Sequence, residues 1–317
     1  MVEPLRTPFT VLVAAPRGFC AGVERAIRTV ELALAARPPD DPRPVYVRHE
    51  IVHNRAVVED TTAIPEGATT VFSAHGVSPQ VRAEAAARRL RTLDATCPLV
   101  ARVHAAVRRH AARGSTVLFV GHAGHPEVEG VLGEAPGQVR LVQTLAEAEA
   151  VAVPDPAKVA YATQTTLSLD DVAAIVGVLR RRFPGIEGPG SGDVCYATQN
   201  RQEAVRALVE AHGAQVVLVL GAANSSNSNR LREVAEQAGA RAYRLAGAGE
   251  LQPGWLAGVA RVGVTAGAST PERLVAELVG RLQARGAEAV ETVETRQEDV
   301  FFAPPPLPGV TEVEGQF

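Results

Sequence analysis

Lysine is almost missing from this chain: Lys158 is the only one, so nearly all of the 32 basic residues are arginine. Aromatic side chains are scarce at 4%, which leaves the core to be built from Val, Leu and Ala. No apolar run approaches the length needed to cross a bilayer. The stretch Met1–Thr10 contains Pro4 and Pro8 and lacks the basic, apolar and small-residue layout of a signal peptide. A cytoplasmic protein that does not engage membrane is therefore expected. The formal net charge of −3 supplies no general attraction to nucleic acid or anionic lipid. A Walker A loop is absent, no GxGxxG follows a strand, and the glycine-rich Gly188–Gly192 has neither pattern, so no bound nucleotide is expected. What remains is an ordinary globular composition, 46% hydrophobic and 21% charged over 317 residues, a length typical of two or three domains.

Cysteine is also sparse, and its placement is informative. Cys20, Cys97 and Cys195 are the full set. An odd number without a signal peptide argues against a disulfide framework, and the lack of any CxxC pair excludes a zinc ribbon or local redox dithiol. Cys20 follows the strand-like Val11–Ala15 and the turn Pro16-Arg17-Gly18-Phe19, ahead of a helix with Val23, Ile27, Val30 and Leu34 on one face. Cys97 precedes Pro98, suited to a first helical position, and the apolar stripe Leu99, Val103, Val107. Cys195 stands just ahead of Thr198-Gln199-Asn200 and a helix carrying Val205, Leu208 and Val209. Each thiol thus enters a helix, where free amides and the helix dipole favour thiolate, the metal-binding form. The competing reading is three small buried hydrophobes.

The segments after the cysteines repeat a layout: a helix, a strand ending in a polar cluster, and a later strand ending in a second one. The first clusters are Arg48–Asn54, Gly121–Glu127 and Gly221–Asn229; the second are Ser73–Gly76, Thr163–Thr166 and Thr265–Ser269. The interval from Glu127 to Thr166 nearly equals that from Asn227 to Ser269. Both the His53–His75 and the Cys20–Cys97 intervals are shorter than their counterparts, and one deletion in the first repeat accounts for both. Strands alternating with helices predict an α/β fold with parallel sheets and ligand-binding groups beyond the carboxyl ends of the strands. The expected repeats are 10–97 with the N-terminal strand, 98–195 and 196–288, followed by a strap or tail over 289–317.

Three converging thiolates leave four chemistries open. These are zinc with three Cys and one His, an apolar trio, one catalytic thiol with two bystanders, and a cubane iron–sulfur cluster with an exchangeable iron. On arrangement alone the open cluster stands slightly ahead of zinc. The candidate residues His53, His75, His125, Ser225, Ser226, Asn227 and Ser269 are short hydrogen-bonding groups at strand ends and helix starts, suited to an anion such as phosphate. Asn227 or Ser228, just before Arg230–Ala238, fits a simple helix cap equally well. Glu127 likewise fits a first-turn carboxylate that complements the helix dipole.

Read as whole motifs, Pro16-Arg17-Gly18-Phe19-Cys20-Ala21-Gly22-Val23, Val47–Asn54, Ser73–Gly76, Asp94–Val100, Gly121–Gly130, Thr163–Ser168, Cys195–Arg206, Asn224–Leu231 and Val264–Ser269 resemble the 4-hydroxy-3-methylbut-2-enyl diphosphate reductase family, in order and over nearly the whole chain. The resemblance implies three pseudo-equivalent α/β units arranged as a trefoil around a [4Fe–4S] cluster with an open fourth iron. It implies Cys20, Cys97 and Cys195 as cluster ligands and Glu127 as proton donor, with Glu129 its competitor on the same loop. It implies His53, His75, His125, Thr165, Ser225, Ser226, Asn227 and Ser269 as binders of diphosphate and hydroxyl. An allylic diphosphate substrate and an electron-donor protein of flavodoxin or ferredoxin type follow from the same likeness. Between Asp60 and Ala63 this chain lacks a segment that family members usually carry. A three-cysteine dehydratase of quinolinate synthase type and a non-enzymatic iron–sulfur sensor share the bare layout. The His125-Pro126-Glu127 motif speaks against the first, and a sensor has no need of so many phosphate-binding groups.

Overall fold

The computed structural model describes residues 8–37, 43–51, 57–189 and 193–307. It divides into two compact units. Unit I comprises Met1–Cys20, Thr165–Ala173 and Val194–Asp299, and unit II comprises Ala21–Gln164, Ala174–Asp193 and Val300–Phe317.

Along the chain, β1 (Phe9–Ala15) leads into α1 (Ala21–Ala35). Then come β2 (Tyr46–Arg48), β3 (Val57–Val58), β4 (Thr69–Phe72), α2 (Pro79–Ala87) and β5 (Arg91–Asp94). The next stretch holds α3 (Pro98–Ala112), β6 (Thr116–Val120), α4 (Pro126–Leu132), β7 (Val139–Val142), α5 (Leu145–Ala150) and β8 (Val159–Thr163). After α6 (Leu169–Arg182) follow α7 (Tyr196–Glu210), β9 (Val216–Leu220), α8 (Ser226–Gln237), β10 (Arg241–Leu245), β11 (Arg261–Ala266), α9 (Glu272–Gln283) and β12 (Ala287–Glu294). Among the described residues three sheets result, and their paired strands run parallel: β10-β9-β11-β1-β12 in unit I, and β3-β2-β4-β5 and β7-β6-β8 in unit II.

The strands read as they do because helices cover both faces of the unit I sheet. In β9, Val216, Leu218 and Leu220 join one core with Val275, Leu278 and Leu282 of α9. The alternate Val217 and Val219 join another with Val205, Leu208 and Leu231 of α7 and α8. Side chains alternate across a strand, so an uninterrupted apolar run feeds both cores. Fully burying one such Val or Leu contributes about 1.5–3 kcal/mol. The β7-β6-β8 sheet packs Val117 and Phe119 against Val103, Val107, Val128 and Val131 of α3 and α4. The β3-β2-β4-β5 sheet is smaller, its core gathered around Ile64, Phe72, Val77 and Ala85.

β1 opens the chain yet lies between β11 and β12, pairing Thr10 with Arg261 and Val11 with Val290. β12 carries Glu288, Glu291 and Glu294 at the sheet margin, and only Val293 of its eight residues is buried. Such an edge strand shows no apolar run, and its charges discourage further strand pairing. Among the described residues no helix is long and apolar enough to cross a membrane.

Candidate functional site

Apart from Cys195, which lies between α6 and the start of α7, the described candidate residues lie in loops and helix starts just beyond the carboxyl ends of parallel strands, where ligands bind in open α/β sheets. His53 lies outside the described residues.

In unit I, β1 runs into the Cys20 loop, whose amides are pinned to the end of β11. Gly18 N–H donates to the Ala266 carbonyl at 3.2 Å, and Cys20 N–H donates to the Ala268 carbonyl at 3.2 Å, beside Ser269. Cys195 is the N-cap of α7. Its Sγ accepts the Thr198 N–H at 3.3 Å and stands 3.1 Å from the Thr198 hydroxyl, while its own N–H donates to the Thr165 carbonyl at 3.1 Å. Thr165 is buried, and the neighbouring Thr166 hydroxyl meets Ser226 Oγ at 3.1 Å.

The cap of α8 is Ser225, not Asn227 or Ser228: Ser225 Oγ accepts the Ser228 N–H at 3.2 Å. The helix begins a turn earlier than Arg230–Ala238 suggests, which frees Asn227 from capping. Asn227 is only 6% exposed, and neither its Oδ1 nor its Nδ2 finds a hydrogen-bond partner among the described residues. A buried amide without partners is costly, and a polar ligand at the N-terminus of α8 relieves that cost. Two glycines let this helix start sit so close to the sheet. A Cβ on Gly221 would stand 2.0 Å from Ser228 Oγ, and one on Gly267 would stand 2.1 Å from the same atom.

In unit II, Cys97 is the N-cap of α3, with Pro98 at the first helical position, and its N–H donates to the Ala74 carbonyl at 3.0 Å. The next residue, His75, has Nδ1 3.1 Å from Ser73 Oγ, and its ring meets that of His125 edge-on at 5.4 Å between centroids. His125 caps α4, its Nδ1 accepting the Glu127 N–H at 3.2 Å. An accepting Nδ1 is unprotonated, which puts the proton of the neutral ring on Nε2. Burial holds both imidazoles well below the usual histidine range, His75 at about 4 and His125 at about 3. Neighbouring histidine charge adds to the effect, from His49 on His75 and from His75, His122 and His49 on His125. Glu127 is 1% exposed, whereas Glu129 is exposed. Unit II therefore brings Cys97, His75, His125 and Glu127 into one chain of contacts, and of the two carboxylates it is Glu127 that turns inward.

All three thiols are unbridged and only half-buried, which distinguishes them from small core hydrophobes. Each sits where a helix begins, and Cys195 Sγ already accepts an amide hydrogen; this donor set suits thiolate ligands of an iron–sulfur cluster. Among the described residues no three His, Cys, Asp or Glu side chains are grouped to hold one metal ion. An iron–sulfur cluster holds more than one iron, so its ligands need not be grouped around a single ion.

Among the buried charged or polar groups that sequence reasoning passed over are Arg201 in unit I and His104 in unit II. The signal was present: Arg201 shares a helical stripe with Val205 and Leu208, and His104 shares one with Val100 and Val107. A polar side chain interrupting an apolar stripe marks a buried partner supplied from elsewhere in the fold.

Residues 11–283 match the family model described as LytB protein. The chain is 54% identical over 309 residues to the 4-hydroxy-3-methylbut-2-enyl diphosphate reductase of Bordetella pertussis, covering 94% of this chain and 92% of the relative. It is 52% identical to the protein of the same name from an Azoarcus species, covering 94% and 96%. Among solved structures, the E-1-hydroxy-2-methyl-but-2-enyl-4-diphosphate reductase from Plasmodium falciparum superposes with a TM-score of 0.84 at 34% identity, over 96% of this chain and 95% of that one.

Proposed function

The chain belongs to the LytB protein family, and from that membership we propose that it reduces 4-hydroxy-3-methylbut-2-enyl diphosphate to isopentenyl and dimethylallyl diphosphates. It is an oxidoreductase; the relatives' shared name favours this over a quinolinate-synthase-type dehydratase or an iron–sulfur sensor. The net reaction breaks the allylic C–O bond, forms a C–H bond, consumes two electrons and two protons, and releases water. The family uses an iron–sulfur cluster. In this chain we assign it as a [4Fe–4S] cluster held by Cys20, Cys97 and Cys195, with one iron left open. When bound, the cluster supplies the electrons and a Lewis-acidic iron for the hydroxyl.

The protein's own groups do the rest. Glu127 delivers the proton that lets the hydroxyl leave as water, a role suited to a buried carboxyl at the start of α4. Neutral His75 and His125 each offer one N–H to an anion, and His125 does so through Nε2 because Nδ1 is engaged by Glu127's amide. Ser225, Ser226, Asn227 and the free amides at the start of α8 offer hydrogen bonds to phosphate oxygens, and Thr165, Ser269 and His53 complete the proposed set. The division into repeats 10–97, 98–195 and 196–288 with a strap over 289–317 belongs to the same reading; β2–β5 and β6–β8 each form one parallel sheet inside a repeat, whereas β1 of the first repeat and β12, most of which lies in the strap, join the sheet of β9–β11. A flavodoxin- or ferredoxin-type donor and a cytoplasmic setting complete the proposal.

The observation that carries the substrate class is Asn227, buried without partners among the described residues on a helix start rich in hydroxyls. The test is anaerobic turnover of the allylic diphosphate by the iron-loaded protein with a chemical reductant, products separated by mass spectrometry. Both five-carbon diphosphates are expected. Iron-loaded protein that leaves the substrate intact overturns the reading.

A further inference from the structure

We propose that Arg201 is a positioning residue that holds the Cys20 loop in the shape its thiolate needs to ligate the cluster. The inference rests on the cluster assignment above and goes beyond it, since Arg201 carries no ligand atom.

Arg201 lies on α7, the helix that Cys195 caps, and its side chain is wholly buried. Its Nε and Nη2 donate to the Gly18 carbonyl at 3.1 and 2.9 Å, and Nη2 also donates to the Phe19 carbonyl at 3.1 Å. Nη1 donates to the Ala197 carbonyl at 2.9 Å and to Glu298 at 3.0 and 3.2 Å, and Nη2 reaches Glu298 at 3.3 Å. Glu298 in turn accepts the Asn200 side-chain amide at 3.0 Å, one residue along the same helix. Burying a guanidinium is tolerated only when its hydrogens and charge are met, and here both are.

The direction of the contacts matters more than their number. Gly18 and Phe19 are the two residues before Cys20, and Gly18 adopts a left-handed φ of +64° that L side chains rarely take. The N–H groups of Gly18 and Cys20 are tied to Ala266 and Ala268, so the loop is held along both edges, by the β11 end on its N–H side and by Arg201 on its carbonyl side. Arg201 is therefore the link between the helix that begins at Cys195 and the loop that ends at Cys20. A lysine could not replace it, because one ammonium offers its hydrogens from a single point and lacks the planar fork that spans two carbonyls and a carboxylate. A plain core ion pair needs no contact with the residues flanking a ligand.

The test compares wild type, Arg201→Lys and Glu298→Gln, purified and loaded anaerobically as full chains. Four quantities are read: iron and sulfide per chain, the rate of iron loss to a ferrous chelator, the electron paramagnetic resonance spectrum of the reduced cluster, and the unfolding midpoint. In Arg201→Lys, iron loss is expected to accelerate about 10–100-fold, the range for removing a group that orients a metal ligand, with an altered spectrum. Glu298→Gln keeps the carbonyl contacts of Arg201 and should show a smaller shift in the same direction. If Arg201→Lys does not fold, Glu298→Gln carries the comparison alone. Wild-type release rate and spectrum in Arg201→Lys, or in Glu298→Gln where it stands alone, reduce Arg201 to a core ion pair even if the unfolding midpoint falls. Wild type that binds no iron defeats the cluster assignment instead. Alkylation of Cys20 relative to Cys195 in the iron-free chains then decides the point, faster in Arg201→Lys supporting the proposal and equal rates overturning it.

Discussion

His125 Nδ1 accepts the backbone N–H of Glu127 at 3.2 Å, so the imidazole proposed to offer its far nitrogen to an anion also anchors the first turn of the helix that carries the proposed acid. In that proposal one ring couples the orientation of a binding group to that of a proton donor. It also fixes the tautomer: while Nδ1 accepts, Nε2 keeps the hydrogen.

Glu127→Gln keeps the size and hydrogen bonding of the side chain and removes its proton. Turnover should fall by about two orders of magnitude or more, the usual contribution of a general acid. Cluster content and substrate binding should persist. Single-turnover kinetics on iron-loaded protein check this, and near-normal turnover with an inactive Glu129→Gln would move the acid to the exposed neighbour.

Cys97→Ser should strip or cripple the cluster, because a hydroxyl does not replace the thiolate that the start of α3 favours. Iron and sulfide analysis reads the result. Full activity in this variant, or stoichiometric zinc without iron in the wild type, rules the ligand set out.

Asn227→Leu separates binding from folding. Removing an unpartnered buried amide should leave the substrate-free protein as stable or more so, whereas binding of the diphosphate should weaken by about 1–3 kcal/mol. Ser225→Ala and His75→Ala should weaken binding by a similar amount. Calorimetric titration beside denaturant unfolding measures both, and unchanged dissociation constants in all three variants mean the pocket lies elsewhere.

Gly221→Ala inserts a methyl 2.0 Å from Ser228 Oγ and 2.5 Å from its Cβ. The start of α8 must shift, at a cost of about 1–3 kcal/mol, typical of overpacking. A denaturant midpoint equal to wild type would show that the helix start is not tightly seated.

Acid sensitivity follows from the two depressed histidines. Unfolded, each titrates near 6.5; folded, His75 titrates at about 4 and His125 at about 3. The unfolded chain therefore takes up protons that the folded chain refuses. Their contribution to stability is full above pH 6.5 and is lost as the pH falls through about 4 for His75 and about 3 for His125. Denaturant midpoints of iron-free wild type and of a His75→Gln/His125→Gln variant at pH 7 and pH 5 test this. Wild type should lose more stability on acidification, and equal losses contradict the assignment.

Sequence alone determined most of the elements and the residue types at their ends, though not β12, which lies largely in the stretch expected to be a strap or tail. Cysteine before a helix stripe, hydroxyls and imidazoles after a strand, and apolar runs alternating with amphipathic helices are local patterns, set by short-range sterics and by the period of side chains along the backbone. Tertiary structure decided what depends on distant partners. β1 pairs with β11 and β12 through backbone groups common to all residues, so no side chain announces the pairing. Ser225, not Asn227, caps α8 because the helix start is pressed against Gly221 and Gly267 from two separate strand ends. Glu127 and Glu129 are equivalent as residue types and differ only in which side of α4 meets the core. Arg201 looks like a misplaced charge on an apolar stripe until the carbonyls of Gly18 and Phe19, nearly two hundred residues earlier in the chain, come to meet it. Burial and hydrogen bonding are paid for by groups far apart in sequence, and only the folded chain brings them together.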